Sequence, residues 1–145
     1  MASAFHKMTP LLLPGNKHSD PRGTLRFNND FNAANIKRIY TIENKDTSFI
    51  RAWQGHAIER RWFSAINGKF EIKLIKIDNW ENPAKKTNCT SYILDDVKLD
   101  ILAVPKGYIS SIQALEENAK LMVMSDYTLG EIDDEYRFDL DYFEI

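Results

Sequence analysis

Apolar and polar positions alternate or cluster over short intervals along nearly the whole chain. Apolar, β-branched or aromatic runs fall at Leu11–Leu13 and at 24–27, 36–42, 49–66, 69–77, 91–94, 98–104, 108–115 and 120–126. Turn chemistry separates them: Pro14-Gly15, Asp20-Pro21-Arg22-Gly23, an Asn-rich stretch at 28–35, Asn67-Gly68, Asp95-Asp96 and Pro105-Lys106-Gly107. Asp bonds the backbone ahead of it, Pro presets φ and Gly takes a positive φ, so each cluster reverses the chain. No window keeps a helical period beyond about ten residues, so the runs read as strands. Asn67-Gly68 between two apolar runs predicts a β-hairpin that pairs the end of 49–66 with 69–77. Residues 1–9 read as a loosely held start, Leu11–Leu13 as a short edge strand, and 133–135 as a solvated acidic turn. Many short strands with regular turns predict an all-β fold, a jelly-roll sandwich or barrel, in one domain over residues 1–145.

Composition narrows the class. The 145 residues are 43% apolar and 28% charged, the balance of a globular protein with a real core. A net charge of −2 argues against a nucleic-acid partner, which would need a basic surface. Cys89 stands alone, so no intrachain disulfide forms and nothing calls for an oxidising compartment. Leu11–Leu13 is too short for a signal-peptide core or a bilayer span. A cytoplasmic location with no membrane partner is the expectation, and Asn88-Cys89-Thr90 is then a chance match to a glycosylation pattern.

Candidate chemistry lies within the fourth run. Gln54 and His56 are two apart on a strand, so both point to one face. A polar pair on the inner face of a small barrel is a site candidate.

The residues around this pair resemble a family. Asp20-x-Arg22-Gly23-x-Leu25, then Ile36-Lys37-Arg38-Ile39-Tyr40, then Arg51 and His56 with four residues between them are similar to the cupin-fold sugar-nucleotide 3,4-ketoisomerases. Those enzymes are relatives of the dTDP-4-dehydrorhamnose 3,5-epimerases. Gly68, Pro105-x-Gly107, Ser125-Asp126-Tyr127 and Asp134-Glu135-Tyr136-Arg137-Phe138 agree in order and spacing, so the resemblance runs from Asp20 to Phe143. It implies an RmlC-like cupin jelly roll and a dTDP-linked sugar-nucleotide ligand. It also implies a homodimer, which would cover the Leu11–Leu13 edge.

Laid on the family's Arg-Gly-x-His-x-His motif, the chain has Gln54 for the first His and keeps His56 as the second. The His that often follows the Pro-x-Gly turn falls near Ser110, and no tyrosine occurs on the 120–126 run, where the epimerases carry an acid. Gln54, His56, Glu59 and Ser110 offer one good metal ligand and one carboxylate, so neither a metal nor a cofactor is expected. Keto-sugar isomerisation needs only a base and donors for the enediol oxygen. The resemblance thus implies His56 as base, Gln54, Tyr40 and Ser110 at the sugar, and Arg38 and Arg51 on the diphosphate. An isomerase or epimerase of a dTDP-4-keto-6-deoxyhexose, in deoxysugar supply for surface glycans, is one function. A cupin that binds a nucleotide-sugar or other carbohydrate without turnover is the other. Each residue also has a plainer reading: a buried hydrogen bond for His56, Gln54 and Glu59, ion pairs with the acidic tail for Arg38 and Arg51, packing for Tyr40. Arg60 and Arg61 are read as facing solvent or a second subunit.

Overall fold

The computed structural model describes residues 8–145; the loosely held start falls mostly outside the described residues. Among the described residues twelve strands form: β1 (Leu11–Leu13), β2 (Asn16–Asp20), β3 (Gly23–Phe27), β4 (Arg38–Ile42), β5 (Ile50–His56), β6 (Arg61–Asn67), β7 (Lys69–Lys76), β8 (Thr90–Asp95), β9 (Ile101–Val104), β10 (Tyr108–Ala114), β11 (Lys120–Ser125) and β12 (Tyr136–Arg137). Ten of them make two five-stranded sheets. The first runs β1-β9-β6-β11-β4 and the second β12-β5-β10-β7-β8, with β2 and β3 as a separate ribbon. All the strand pairs are antiparallel. The fold is all-β, as its pattern predicts.

The sheets face each other across a core that includes Phe63, Leu102, Leu121 and Val123 from the first and Phe70, Ile72, Leu74 and Ile112 from the second. The outer faces are also covered. Behind the second sheet, Trp53, Ile75, Ile77 and Ile109 pack against Phe143. Behind the first, Trp62, Ile101, Ala103 and Met124 lie under Phe31 and Ile36, which lie in the Asn-rich loop and just after it. Strands buried on both faces lose their alternation and read as continuous apolar runs.

Four sequence expectations change. The run 49–66 is not one strand: it breaks at residues 57–60, where the chain crosses from the second sheet to the first. Asn67-Gly68 is not a hairpin either, because β6 and β7 lie in different sheets. Gly68 instead turns a corner at φ 73°, and a Cβ there would come within 2.8 Å of the Ala119 Cβ. The positive φ that Gly68 supplies is used, but for a corner between two sheets and not for a reversal. The run 98–104 becomes a strand only from Ile101, after Leu99 takes φ 21°. Strand β2 is also new. Asn16-Lys17-His18-Ser19-Asp20 is nearly all exposed, so nothing in its polarity marks a buried face. It pairs with β3 through the Asp20–Gly23 turn, where Asp20 accepts from the Arg22 backbone at 2.9 Å and from its guanidinium at 2.6 Å.

Candidate functional site

One end of the space between the sheets is open. It forms a cavity of about 480 Å³, mouth included, walled by Arg51, Gln54 and His56 of β5, Tyr108 and Ser110 of β10, Tyr40 and Ile42 of β4, and Arg61 and Phe63 of β6.

Strand β5 supplies three polar groups to one wall through a bulge. Ser110 pairs with Gln54, yet Ile112 pairs with Arg51, so Ala52 and Trp53 together oppose Ser111. The extra residue resets the alternation. Arg51 comes back to the cavity side, three residues before Gln54, while Trp53 turns outward to pack edge-on to Phe143 at 5.7 Å. Arg51 is held loosely, with Nε donating to the Asn44 side-chain oxygen at 3.4 Å.

His56 is 8% exposed. Its Nδ1 lies 2.9 Å from the backbone oxygen of Asp134. A carbonyl only accepts, so Nδ1 carries the hydrogen and Nε2 keeps a lone pair. Burial holds the His56 pKa below its usual value, and the nearby Arg61 cation pushes it the same way. Glu59, with Oε2 3.8 Å from Nδ1, and Asp134 act against this without reversing it. The ring is therefore neutral at neutral pH and able to accept a proton.

Arg61 corrects its sequence reading. It is 8% exposed and lines the cavity instead of facing solvent. Nη2 donates to Glu59 at 2.7 Å, Nη1 donates to the Tyr40 hydroxyl, and the buried Nε has no partner. Glu59 thus makes the structural bond expected of it, to Arg61. Arg60 points elsewhere: its Nε and backbone N–H bind Asp126 at 2.7 and 2.9 Å, and its guanidinium lies 5.8 Å from the Trp62 ring.

The other candidates divide. Tyr40 and Ser110 line the cavity, and Ser110 Oγ donates to the Gln54 backbone oxygen at 3.4 Å. Gln54 Nε2 donates to Glu135, which leaves its amide oxygen for a ligand. Arg38 is not part of the cavity wall; it lies 4.6 Å over the Tyr40 ring, on the same face of β4. Among the described residues, no three His, Cys, Asp or Glu side chains converge on a point where an ion could sit.

Two site residues were missed. Tyr108 pairs with His56 across the β5–β10 ladder, and its hydroxyl donates to the Met8 carbonyl at 3.2 Å. Burial, and to a smaller degree Tyr92, pushes its pKa up, so the phenol stays protonated. Its place two residues before Ser110 on β10 is the signal that would have found it. Asp134 is the second. Expected in a solvated turn, it is 4% exposed, and its carboxylate accepts the backbone N–H groups of Ala57, Ile58 and Glu59 at 2.9, 2.9 and 2.8 Å. No local pattern announces that contact, which spans more than seventy residues of chain.

No family model and no curated protein matches the sequence. Solved structures do match the fold. A variant of the 3,4-ketoisomerase QdtA from Thermoanaerobacterium thermosaccharolyticum, in complex with TDP-4-keto-6-deoxyglucose, superposes with a TM-score of 0.70 at 21% identity, covering 90% of this chain and 88% of that one. A 4-keto-6-deoxy sugar epimerase from Streptomyces spheroides gives 0.75 at 13%, covering 99% and 76%. The rmlC epimerase of Mycobacterium tuberculosis gives 0.71 at 14%, covering 94% and 72%. This chain therefore has the cupin-type jelly-roll fold that those ketoisomerases and epimerases share.

Proposed function

We propose that the protein is an isomerase or epimerase that moves a proton on a dTDP-4-keto-6-deoxyhexose, without metal or cofactor, in the supply of deoxysugars for surface glycans. The observation that carries this reading is the state of His56. Its Nδ1–H is given to a carbonyl, its Nε2 lone pair is free, and it shares a cavity with Arg61, Tyr40 and Tyr108. Similarity of fold to a ketoisomerase complexed with TDP-4-keto-6-deoxyglucose supports the substrate class.

The chemistry needs no redox partner. Nε2 takes the proton from the carbon beside the ketone, the C–H pair becomes a C=C bond, and the carbonyl oxygen becomes an enediolate. Its charge falls to the Arg61 guanidinium and the Tyr40 hydroxyl, donors in a partly dry cavity where such bonds count most. The Tyr108 phenol, kept protonated, exchanges a proton with the enediol oxygens. His56 then returns its proton to the neighbouring carbon, which moves the ketone; epimerisation would instead need a proton delivered to the same carbon from the opposite face of the sugar. Gln54 accepts from a sugar hydroxyl, and Ser110 lies beside it on the wall. Arg51, exposed at the mouth, takes the diphosphate. Arg38 supports Tyr40 and has no ligand contact in this reading.

A second reading rests on Gln54, which cannot titrate and whose amide nitrogen is tied to Glu135. A cupin with a neutral residue there binds a nucleotide-sugar without turning it over. Incubation with dTDP-4-keto-6-deoxyglucose in D2O, followed by NMR of the C3 and C5 protons, separates the two. Deuterium at C3 with the native protein and not with His56→Asn is the expected result. Stabilisation by the nucleotide-sugar with no exchange at either carbon would leave the binder. A homodimer belongs to the same proposal: β1 leaves one edge open with Leu12 exposed, and the β2–β3 ribbon joins neither sheet. A monomer mass by light scattering at micromolar concentration would remove it.

A further inference from the structure

The segment 134–138 lies far from the cavity in sequence, contributes nothing to its wall, and yet touches β5 at every residue the site uses on its inner half. Phe138 exchanges backbone hydrogen bonds with Trp53 at 3.0 Å in each direction. Tyr136 pairs with Gly55 and Arg137 with Gln54. Glu135 holds the Gln54 amide, and the Asp134 carbonyl takes the His56 Nδ1–H. Phe138 and, beyond it, Tyr142 and Phe143 anchor the segment on the outer face of the second sheet.

We propose that Asp134 is a positioning residue that fixes the tautomer of His56, through a carboxylate and a carbonyl on the same residue that work together. The carbonyl dictates which ring nitrogen carries the hydrogen. The carboxylate fixes the carbonyl in place, because it accepts three successive N–H groups, Ala57, Ile58 and Glu59, that follow His56 directly. Those three donors are a concave row of the kind that binds an anion, here one from the chain itself. The row is bound within a residue or two of the ring that the carbonyl must meet, so neither contact can move without the other. A free imidazole favours hydrogen on Nε2; only a well-placed acceptor at Nδ1 reverses that preference. Remove the carboxylate and the three partly buried N–H groups of residues 57–59 lose their shared acceptor. The crossing then loosens, the carbonyl drifts, and hydrogen redistributes to Nε2, the atom that must accept the proton.

The inference rests on the proposed role of His56 for its importance, but not for its test. Nitrogen-15 NMR of histidine-labelled protein at pH 8, above the histidine range, reads the tautomer directly and needs no substrate. Native protein is expected to show His56 with hydrogen on Nδ1 alone. Asp134→Asn, which keeps size and the backbone carbonyl but donates where it should accept, is expected to show a mixture with Nε2–H in the majority. Circular dichroism on the same sample checks that the β signal persists. Where exchange is measurable, kcat is expected to fall by up to about 10²-fold with little change in KM, the size of a small displacement at a reacting centre. Native protein with hydrogen on Nε2 would overturn the proposal without any variant. So would a folded Asp134→Asn protein whose His56 stays in the Nδ1–H form. Should no sugar nucleotide prove to be a substrate, the reading of function fails while the tautomer result still decides the role of Asp134.

Discussion

The two ends of the space between the sheets are built on the same strands and do opposite things. Along β6 the inward residues run Ala65, Phe63, Arg61; along β10 they run Ala114, Ile112, Ser110, Tyr108; along β4, Ile42, Tyr40, Arg38. The closed end holds a continuous apolar cluster with Phe70, Leu94, Leu102 and Leu121 essentially without exposure. The open end holds a histidine, two arginines and two tyrosines. A sandwich gives each strand one inward face, and this chain divides that face by length. The closed end supplies stability through burial, so the open end can keep polar groups partly unpaired, such as Arg61 Nε.

Substitutions at the two ends should therefore fail differently. The largest stability loss is expected from Phe70→Ala at the closed end, where Phe70 is fully buried: about 3–5 kcal/mol from lost transfer and the cavity left behind. Urea denaturation should show it, with any surviving folded protein still exchanging substrate protons normally. His56→Asn should do the reverse. Exchange should fall by about 10²–10⁴-fold, while stability at pH 7 stays within about 1 kcal/mol. Acid sharpens the contrast. Because the folded His56 pKa is depressed, the unfolded chain takes up the proton first as pH falls. Native protein is thus fully stabilised above the unfolded value of about 6.5 and loses stability from there down toward the folded pKa. The asparagine variant lacks that component of acid sensitivity. Equal acid profiles for the two proteins would mean that His56 is not held neutral in the fold.

The closed end was far more legible in the sequence than the open one. Runs such as 69–77 are read from pattern alone, because Phe70, Ile72 and Leu74 alternate with Lys69, Glu71 and Lys73 as a strand with one buried face requires. His56 and Gln54 follow from strand alternation and the family resemblance, Tyr40 and Ser110 from the resemblance, and all four line the cavity. The rest depends on geometry with no local signature. Arg51 reaches the wall only through the bulge at Ala52 and Trp53. Arg61 faces inward because the crossing at 57–60 resets the phase after His56; counting back from Phe63 and Ala65, not forward from His56, would have found it. Asp134 is an acidic residue in an acidic tail until its three backbone partners are seen. Polarity marks a solvated face and a buried anion site in the same way.

A middle-sized effect is expected where the two ends meet. Arg61 stands one inward position from Phe63, and its guanidinium holds the nearly buried Glu59 at 2.7 Å. Arg61→Gln should cost about 1–3 kcal/mol by leaving that carboxylate short of a partner. It should also raise the His56 pKa, since the cation that disfavours imidazolium is gone and Glu59 remains. The acid limb of the rate profile would move to higher pH by the same interval as the NMR titration of the ring. A ring that titrates where it did before would show that the two side chains do not feel each other's charge.

The smallest stability change is expected at Tyr108, and it divides the reaction more finely. Its hydroxyl gives a single hydrogen bond, to the exposed backbone carbonyl of Met8, so Tyr108→Phe should alter unfolding by about 1 kcal/mol or less. Abstraction of the carbon-bound proton belongs to His56, and deuterium should still enter C3 at close to the native rate. Transfer between the enediol oxygens belongs to the phenol, so movement of the ketone should slow by about 10²-fold. One NMR time course reads both, as loss of the C3 proton signal against growth of the isomerised sugar. Loss of both rates together would make Tyr108 part of substrate binding or of His56 placement, and no change in either would return it to packing. Exchange that outlives isomerisation is the outcome that separates a base on β5 from a proton relay on β10, side by side in one ladder.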